Sequence, residues 1–108
     1  MNHSVFNLFD TSSLNYSTKE EIVNLLFTSE NIRIERIVSY GQISEDWYNQ
    51  EENEWVFLLQ GNASILFDDG NETHLKAGDS LYIPAHSKHK VSFTSTKPSC
   101  IWLAVFFN

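Results

Sequence analysis

A carboxylate stands where the sequence otherwise prepares for burial. Glu54 heads the run "EWVFLLQG", which is almost wholly apolar, and it follows the acidic stretch "QEEN". A charge carried into an apolar interior has to be paired, hydrogen-bonded or metal-bound, because an isolated buried charge is very costly. Two histidines, His86 and His89, lie three apart in "PAHSKH". That spacing is by itself weak evidence for zinc. His74, in "NETHLKAG", reads as a strand-surface residue, and His3 belongs to the terminus. Glu45, Asp46, Glu51 and Glu52 read as a solvated acidic loop more readily than as a cation funnel. Trp47, Trp55 and Trp102 read as core or interface before ligand lining. No Ser-His-Asp arrangement, phosphate loop or reactive-cysteine context presents itself.

The elements that must position Glu54 and the histidines are short strands separated by turns. "NIRIERIVSY" alternates Ile32, Ile34 and Arg36 against Arg33, Glu35 and Ile37, an imperfect strand pattern. "EWVFLLQ" and "ASILF" flank Gly61-Asn62, and "DDGN" at 68–71 is a tight-turn signal. "THLK", Ala77-Gly78-Asp79 and "SLYIP" repeat the pattern; "HKVSFTS", the turn "TKPS" and "CIWLAVFF" complete the chain. Strands recurring every 8–12 residues or so point to an all-β sandwich or barrel. Residues 17–27, "STKEEIVNLLF", are ambiguous. Ser17 and Thr18 each precede a glutamate by three, a capping-box signal, and Ile22, Leu25 and Leu26 have helical spacing. Residues 1–13 are expected to be loosely held, with a single domain over 14–108.

Composition limits what such a domain can do. The chain has 108 residues, 42% hydrophobic and 14% aromatic, enough for one domain with a core of its own. Its net charge of −7 repels a phosphate backbone or an anionic bilayer, so neither nucleic acid nor membrane is expected as a partner. No stretch approaches the roughly 20 apolar residues of a spanning helix, and the N-terminus has no leader-like pattern. The one cysteine, Cys100, cannot form an internal disulfide and reads as a small apolar side chain, so a cytoplasmic setting is expected. "EWVFLL" and "IWLAVFF" are apolar on both faces. One face fills an interior and the other also needs cover, either by a second copy in a homodimer or by the N-terminal segment.

Two pieces of the chain carry a family resemblance. Glu54, six residues, then Gly61 resembles the end of the first cupin motif, G-x5-H-x-H-x3–4-E-x6-G. Gly78, five residues, Pro84, then His89 resembles the second, G-x5-P-x-G-x2-H-x3-N. "IERIVSYGQ", "GDSLYIPAHSKH" and "WLAVFF" are similar to a subgroup of small single-domain bacterial cupins, across nearly the whole chain. The resemblance implies an antiparallel jelly-roll β-barrel, with a strand over 20–27. It also implies a divalent-metal site using the first motif's two histidines and glutamate plus the second motif's histidine. Glu54 and His89 match; the two first-motif histidines are missing. Their places fall on Tyr48 and Gln50 with a three-residue gap, or on Trp47 and Asn49 with a four-residue gap, which the spacing after Gly41 supports. Side chains of an extended strand share a face only at even separations, which favours Gln50 with Tyr48 near it.

The resemblance therefore implies metal ligands Glu54, His89 and Gln50, with His86 as a fourth ligand, proton shuttle or surface residue, and Tyr48 in the pocket. Imidazole, carboxylate and amide oxygen suit Zn, Mn, Fe or Ni. One function that follows is a metal-dependent enzyme acting on a small organic molecule, of isomerase or dioxygenase type. The other is a metal-free barrel that binds or senses a small ligand. A structural dimer module without either role ranks third, and a fold alone chooses none of them.

Overall fold

The structure, a computed structural model, describes residues 3–108. It consists of eight antiparallel strands: β1 Ile22–Thr28, β2 Ile32–Ser39, β3 Asn53–Gln60, β4 Asn62–Phe67, β5 Glu72–Lys76, β6 Ser80–Ile83, β7 His89–Thr94 and β8 Cys100–Phe107. They form a five-stranded sheet in the order β1-β2-β8-β3-β6 and a three-stranded sheet in the order β5-β4-β7. This is the all-β jelly-roll barrel. Each strand coincides with an alternating or apolar run, and the turns fall on the glycine-, asparagine- and proline-containing pieces between them.

The ambiguous segment is strand. β1 pairs with β2 from Ile22↔Val38 to Thr28↔Arg33, with a bulge between Leu25 and Phe27. The polar residues that mimic a helix cap are used in a turn instead. Ser17 donates to Asn15 Oδ1 from its backbone N–H and its hydroxyl, at 3.0 and 2.6 Å, and Thr18 donates to the Glu20 carbonyl at 3.2 Å. Pairing with a neighbouring strand overrides a weak local helix signal.

Alternation along the strands aims one set of side chains between the sheets. Val56 and Leu58 of β3, Ile65 of β4, Ile83 of β6 and Trp102 of β8 form the core, with Cys100 buried among them. Removing an aliphatic side chain such as Leu58 from water contributes about 1.5–3 kcal/mol. Gly61, between β3 and β4, has φ +90°, and a Cβ there would lie 2.9 Å from both Cys100 Sγ and the Ser99 carbonyl. The motif ends on glycine because the chain turns against β8 with no room for a side chain.

The opposite face of the large sheet is covered in one part only. Arg36, on β2, is 2% exposed. It donates to Asn24 Oδ1 from Nε and Nη2 and to the carbonyls of Leu8 and Asp10 from Nη1, and its guanidinium lies over the Phe6 ring. Residues 6–10 of the segment expected to be loosely held are thus tied to the barrel wall; Met1 and Asn2 lie outside the described residues. Farther along the sheet Trp55 and Tyr82, 43% and 41% exposed, lie against each other at a tilt on the outside of β3 and β6. Among the described residues no helix is long and apolar enough to cross a membrane.

Candidate functional site

Glu54 is the second residue of β3 and shares its inward face with Val56 and Leu58. On one side it stands opposite Phe106 of β8, on the other opposite Ile83 of β6. His89 opens β7 in the facing sheet, paired with Phe67 of β4. Two different sheets therefore aim the pair at each other. His89 Nε2 lies 3.8 Å from Glu54 Oε1, and both side chains are buried.

The segment between β2 and β3 supplies the rest. It runs along the free edge of β7: Ser44 N–H donates to the Val91 carbonyl at 2.9 Å, and Tyr48 and His89 exchange two backbone hydrogen bonds of 2.7 and 3.1 Å. Tyr48 pairs with β7 as an isolated bridge, with bends at 45–46 and 51–52 on either side of it. Gln50 and Tyr48 both face the interior. Gln50 Nε2 donates to Glu54 Oε1 at 3.0 Å, and the Tyr48 ring sits 5.6 Å from the imidazole of His89. Trp47 turns outward beneath the Lys90 ammonium, 4.7 Å from its ring.

His86 is not brought to this group. It is exposed, its φ is +63°, and its backbone N–H donates to the Gln50 carbonyl at 2.8 Å. The left-handed turn that aims its N–H at the Gln50 loop leaves its side chain outside the cavity lining. Its part here is to hold the loop that presents Gln50.

These side chains surround a cavity of about 250 Å3. One wall is apolar, with Val56, Ile65, Ile83, Val91, Trp102 and Phe106. The other carries Glu21, just before β1, and Arg33 and Glu35 of β2. None of these three was singled out by sequence. The signal was the inward parity of Arg33, Glu35 and Ile37, usable only once the register of β2 against β8 is known (Ile37↔Trp102, Arg33↔Phe106). Trp102 reaches the cavity as well as the core, its indole N–H donating to Ser39 Oγ at 3.1 Å. His74 is on the surface as expected, its Nδ1 2.6 Å from Ser64 Oγ.

Hydrogen bonding fixes the chemistry of the pair. A carbonyl only accepts, so the 2.8 Å contact between His89 Nδ1 and the Ser87 carbonyl puts the proton on Nδ1. In the neutral ring Nε2 is then a lone pair directed toward Glu54. A metal-binding histidine is commonly oriented in this way. Burial raises the pKa of Glu54; the Gln50 N–H, His89 and Arg33 oppose the rise, and Glu35 adds to it. Glu21 is also raised, mainly by burial and further by Glu35, against a hydrogen bond from Ser39. Two acceptors facing across 3.8 Å are too far apart for a direct hydrogen bond. They are within reach of one cation bound to both through bonds of about 2.0–2.2 Å. No group of three or more His, Cys, Asp or Glu residues suited to a metal occurs among the described residues. A metal set would need the Gln50 amide to turn over, exchanging the N–H that now donates to Glu54 for its oxygen as third member, and it would bind more weakly than three histidines and a carboxylate.

A barrel of this topology, with a polar group held between its sheets, is the architecture of the cupins, and the family model for the cupin domain matches residues 35–106. The chain belongs to that family. It is 32% identical to a protein of Ralstonia eutropha described as a candidate mannose-6-phosphate isomerase, with 98% of this chain and 99% of that one covered and a TM-score of 0.88. A cupin superfamily protein of Desulfitobacterium hafniense is 20% identical over 87% of this chain and 83% of its own, TM-score 0.74. A Klebsiella pneumoniae protein with a double-stranded β-helix domain is 19% identical over 98% and 90%, TM-score 0.79. No curated protein matches the chain.

Proposed function

We propose that this cupin is an enzyme of isomerase type that holds a divalent ion with His89 Nε2, Glu54 and the Gln50 amide oxygen, and acts on a small hydroxycarbonyl compound. The observation that carries the reading is the buried His89 Nε2, with Nδ1 taken up by the Ser87 carbonyl, facing a buried carboxylate across 3.8 Å. When bound, the ion would polarise a substrate oxygen. The chain's own residues do the remainder. The apolar wall excludes water, and the Ser87 carbonyl keeps His89 in the tautomer that leaves Nε2 free. Glu21, whose pKa burial raises above the ordinary carboxylate value, lines the same cavity and is the group suited to take and return the proton. Moving a proton between neighbouring carbons needs no external oxidant, and the name of the 32%-identical relative points to the same reaction type.

Chelator-treated protein titrated calorimetrically with Mn2+, Fe2+, Ni2+ and Zn2+ is expected to take up about one ion per chain. If none of the four is taken up, the metal reading is lost. A second reading, a metal-free ligand-binding barrel, is favoured by the Gln50–Glu54 hydrogen bond, which already gives the carboxylate a partner. Stabilisation of stripped protein by a small organic ligand, with no metal uptake, would select it. We also place a second copy of the chain over the exposed face that bears Trp55 and Tyr82. A sedimentation mass of a single chain at micromolar concentration would remove that assembly.

A further inference from the structure

The charge of the cavity constrains its ligand more narrowly than the reaction type does. Three carboxylates line it, those of Glu21, Glu35 and Glu54. Arg33 is the one Lys or Arg of the lining; it is ion-paired with two carboxylates, although its buried Nε makes no hydrogen bond. Its Nε lies 3.2 Å from Glu35 Oε2, and its Nη1 lies 3.0 Å from both oxygens of Glu52. Its guanidinium also lies 4.2 Å from the centre of the Phe106 ring. A phosphate entering the cavity would have to detach the guanidinium from two carboxylates or lie unpaired beside three others. Both are unfavourable where the local dielectric is low. Glu35 interacts electrostatically with both Glu21 and Glu54, so the three acids form one connected negative wall. Opposite it, His89 is 4% exposed and presents Nε2 as an acceptor, with no protein hydrogen bond made to that atom among the described residues. The acids of the cavity therefore ask for donors or a cation, while the buried Arg33 Nε, which makes no hydrogen bond, and the Tyr48 side chain leave room for the oxygen of a hydroxyl.

We infer that this cavity takes a small uncharged polyhydroxy compound or its amine-bearing counterpart, and rejects the phosphate ester of the same compound. The inference rests on the cavity being the ligand site proposed above, and it separates this chain from the phosphorylated substrate named for its Ralstonia relative. A bound divalent ion would offset part of the negative charge beside His89 but leave Glu21, Glu35 and the engaged Arg33 as they are. Discrimination against phosphate is therefore greatest in metal-stripped protein.

Two matched series test this by calorimetry and thermal shift: mannose, mannosamine and mannose 6-phosphate, and glycerol, 3-aminopropane-1,2-diol and glycerol 3-phosphate. Each is run on stripped and on Mn2+-loaded protein. In at least one series the parent and the amine are expected to bind stripped protein at least tenfold more tightly than the ester. Glu35→Gln loosens the hold on Arg33 and removes one acid, and should shrink that ratio to about threefold or less. An ester that binds as tightly as its parent, or two series in which neither parent nor amine binds, overturns the inference. Metal uptake is measured separately. Uptake of Mn2+ with tight ester binding defeats the charge argument and leaves the metal reading standing; preference for parent and amine without any uptake does the reverse.

Discussion

Glu54→Gln should make the metal-free protein more stable at pH 7 while reducing its divalent-metal affinity at least about 100-fold. The two effects have opposite signs because one carboxylate is costly to bury and useful to a cation. Burial holds the pKa of Glu54 above its ordinary value, so the folded state binds that proton more tightly than the unfolded chain does. Such a group contributes stability that is fully present below the unfolded pKa and is lost as pH rises through the folded pKa. At pH 7, above the ordinary carboxylate range, the glutamate is therefore unfavourable to folding, and its replacement should raise Tm. Glutamine keeps the shape and still accepts from Gln50 Nε2, so the variant should lose the part of the stability decline above the ordinary carboxylate range that Glu54 causes. The part due to Glu21, raised in the same direction, should persist until Glu21→Gln is added. Paired denaturant melts from pH 4 to pH 8, with and without Mn2+, read both effects. A variant that is less stable than the parent throughout would show that the carboxylate is well compensated in the folded state.

Arg36→Ala should cost about 2–4 kcal/mol, although it lies on the far side of the wall from the cavity. The guanidinium is 2% exposed and has no carboxylate in contact; its charge is balanced by Asn24 Oδ1, two main-chain carbonyls and the Phe6 ring. Removing it leaves the acceptors on Leu8, Asp10 and Asn24 without their donor and opens a hole between the N-terminal segment and β2. Arg36→Lys should recover only part of the loss, because one ammonium cannot reproduce the planar fork that serves four contacts. Chemical denaturation measures the cost, and limited proteolysis of residues 6–10 should accelerate in step with it. Unchanged proteolysis in Arg36→Ala would show that the segment is held by other contacts.

The strands and turns were legible because period-two alternation and residues such as Asp69-Gly70-Asn71 act locally. The meeting of Glu54 with His89 was legible through the motif spacing. Gln50 and Tyr48 do line the cavity, but the chain bends at 51–52 between Gln50 and Glu54, so strand parity is not what brings them there. What the sequence hid depends on contacts between distant parts of the chain. Glu21, Arg33 and Glu35 line the cavity because β2 registers against β8, a pairing more than sixty residues apart in the sequence. Arg36 looked like a break in an alternating strand, and only the docked N-terminal segment explains it. The helix signal at 17–27 was local and correct in its chemistry, but the same hydroxyls and amides make a turn as readily as a cap. His86 illustrates the opposite limit: histidine three before a ligand position is suggestive on paper, while a left-handed backbone sends its side chain outside.

The account depends on Glu54 and His89 sharing one enclosed space with opposed acceptors. NMR of protein labelled with 15N in histidine and 13C in glutamate measures this directly. The His89 ring should show its proton on Nδ1, the Glu54 carboxyl should titrate above the ordinary range, and substoichiometric Mn2+ should broaden both signals together. A proton on Nε2, an ordinary titration of Glu54, or broadening of one signal without the other would contradict it.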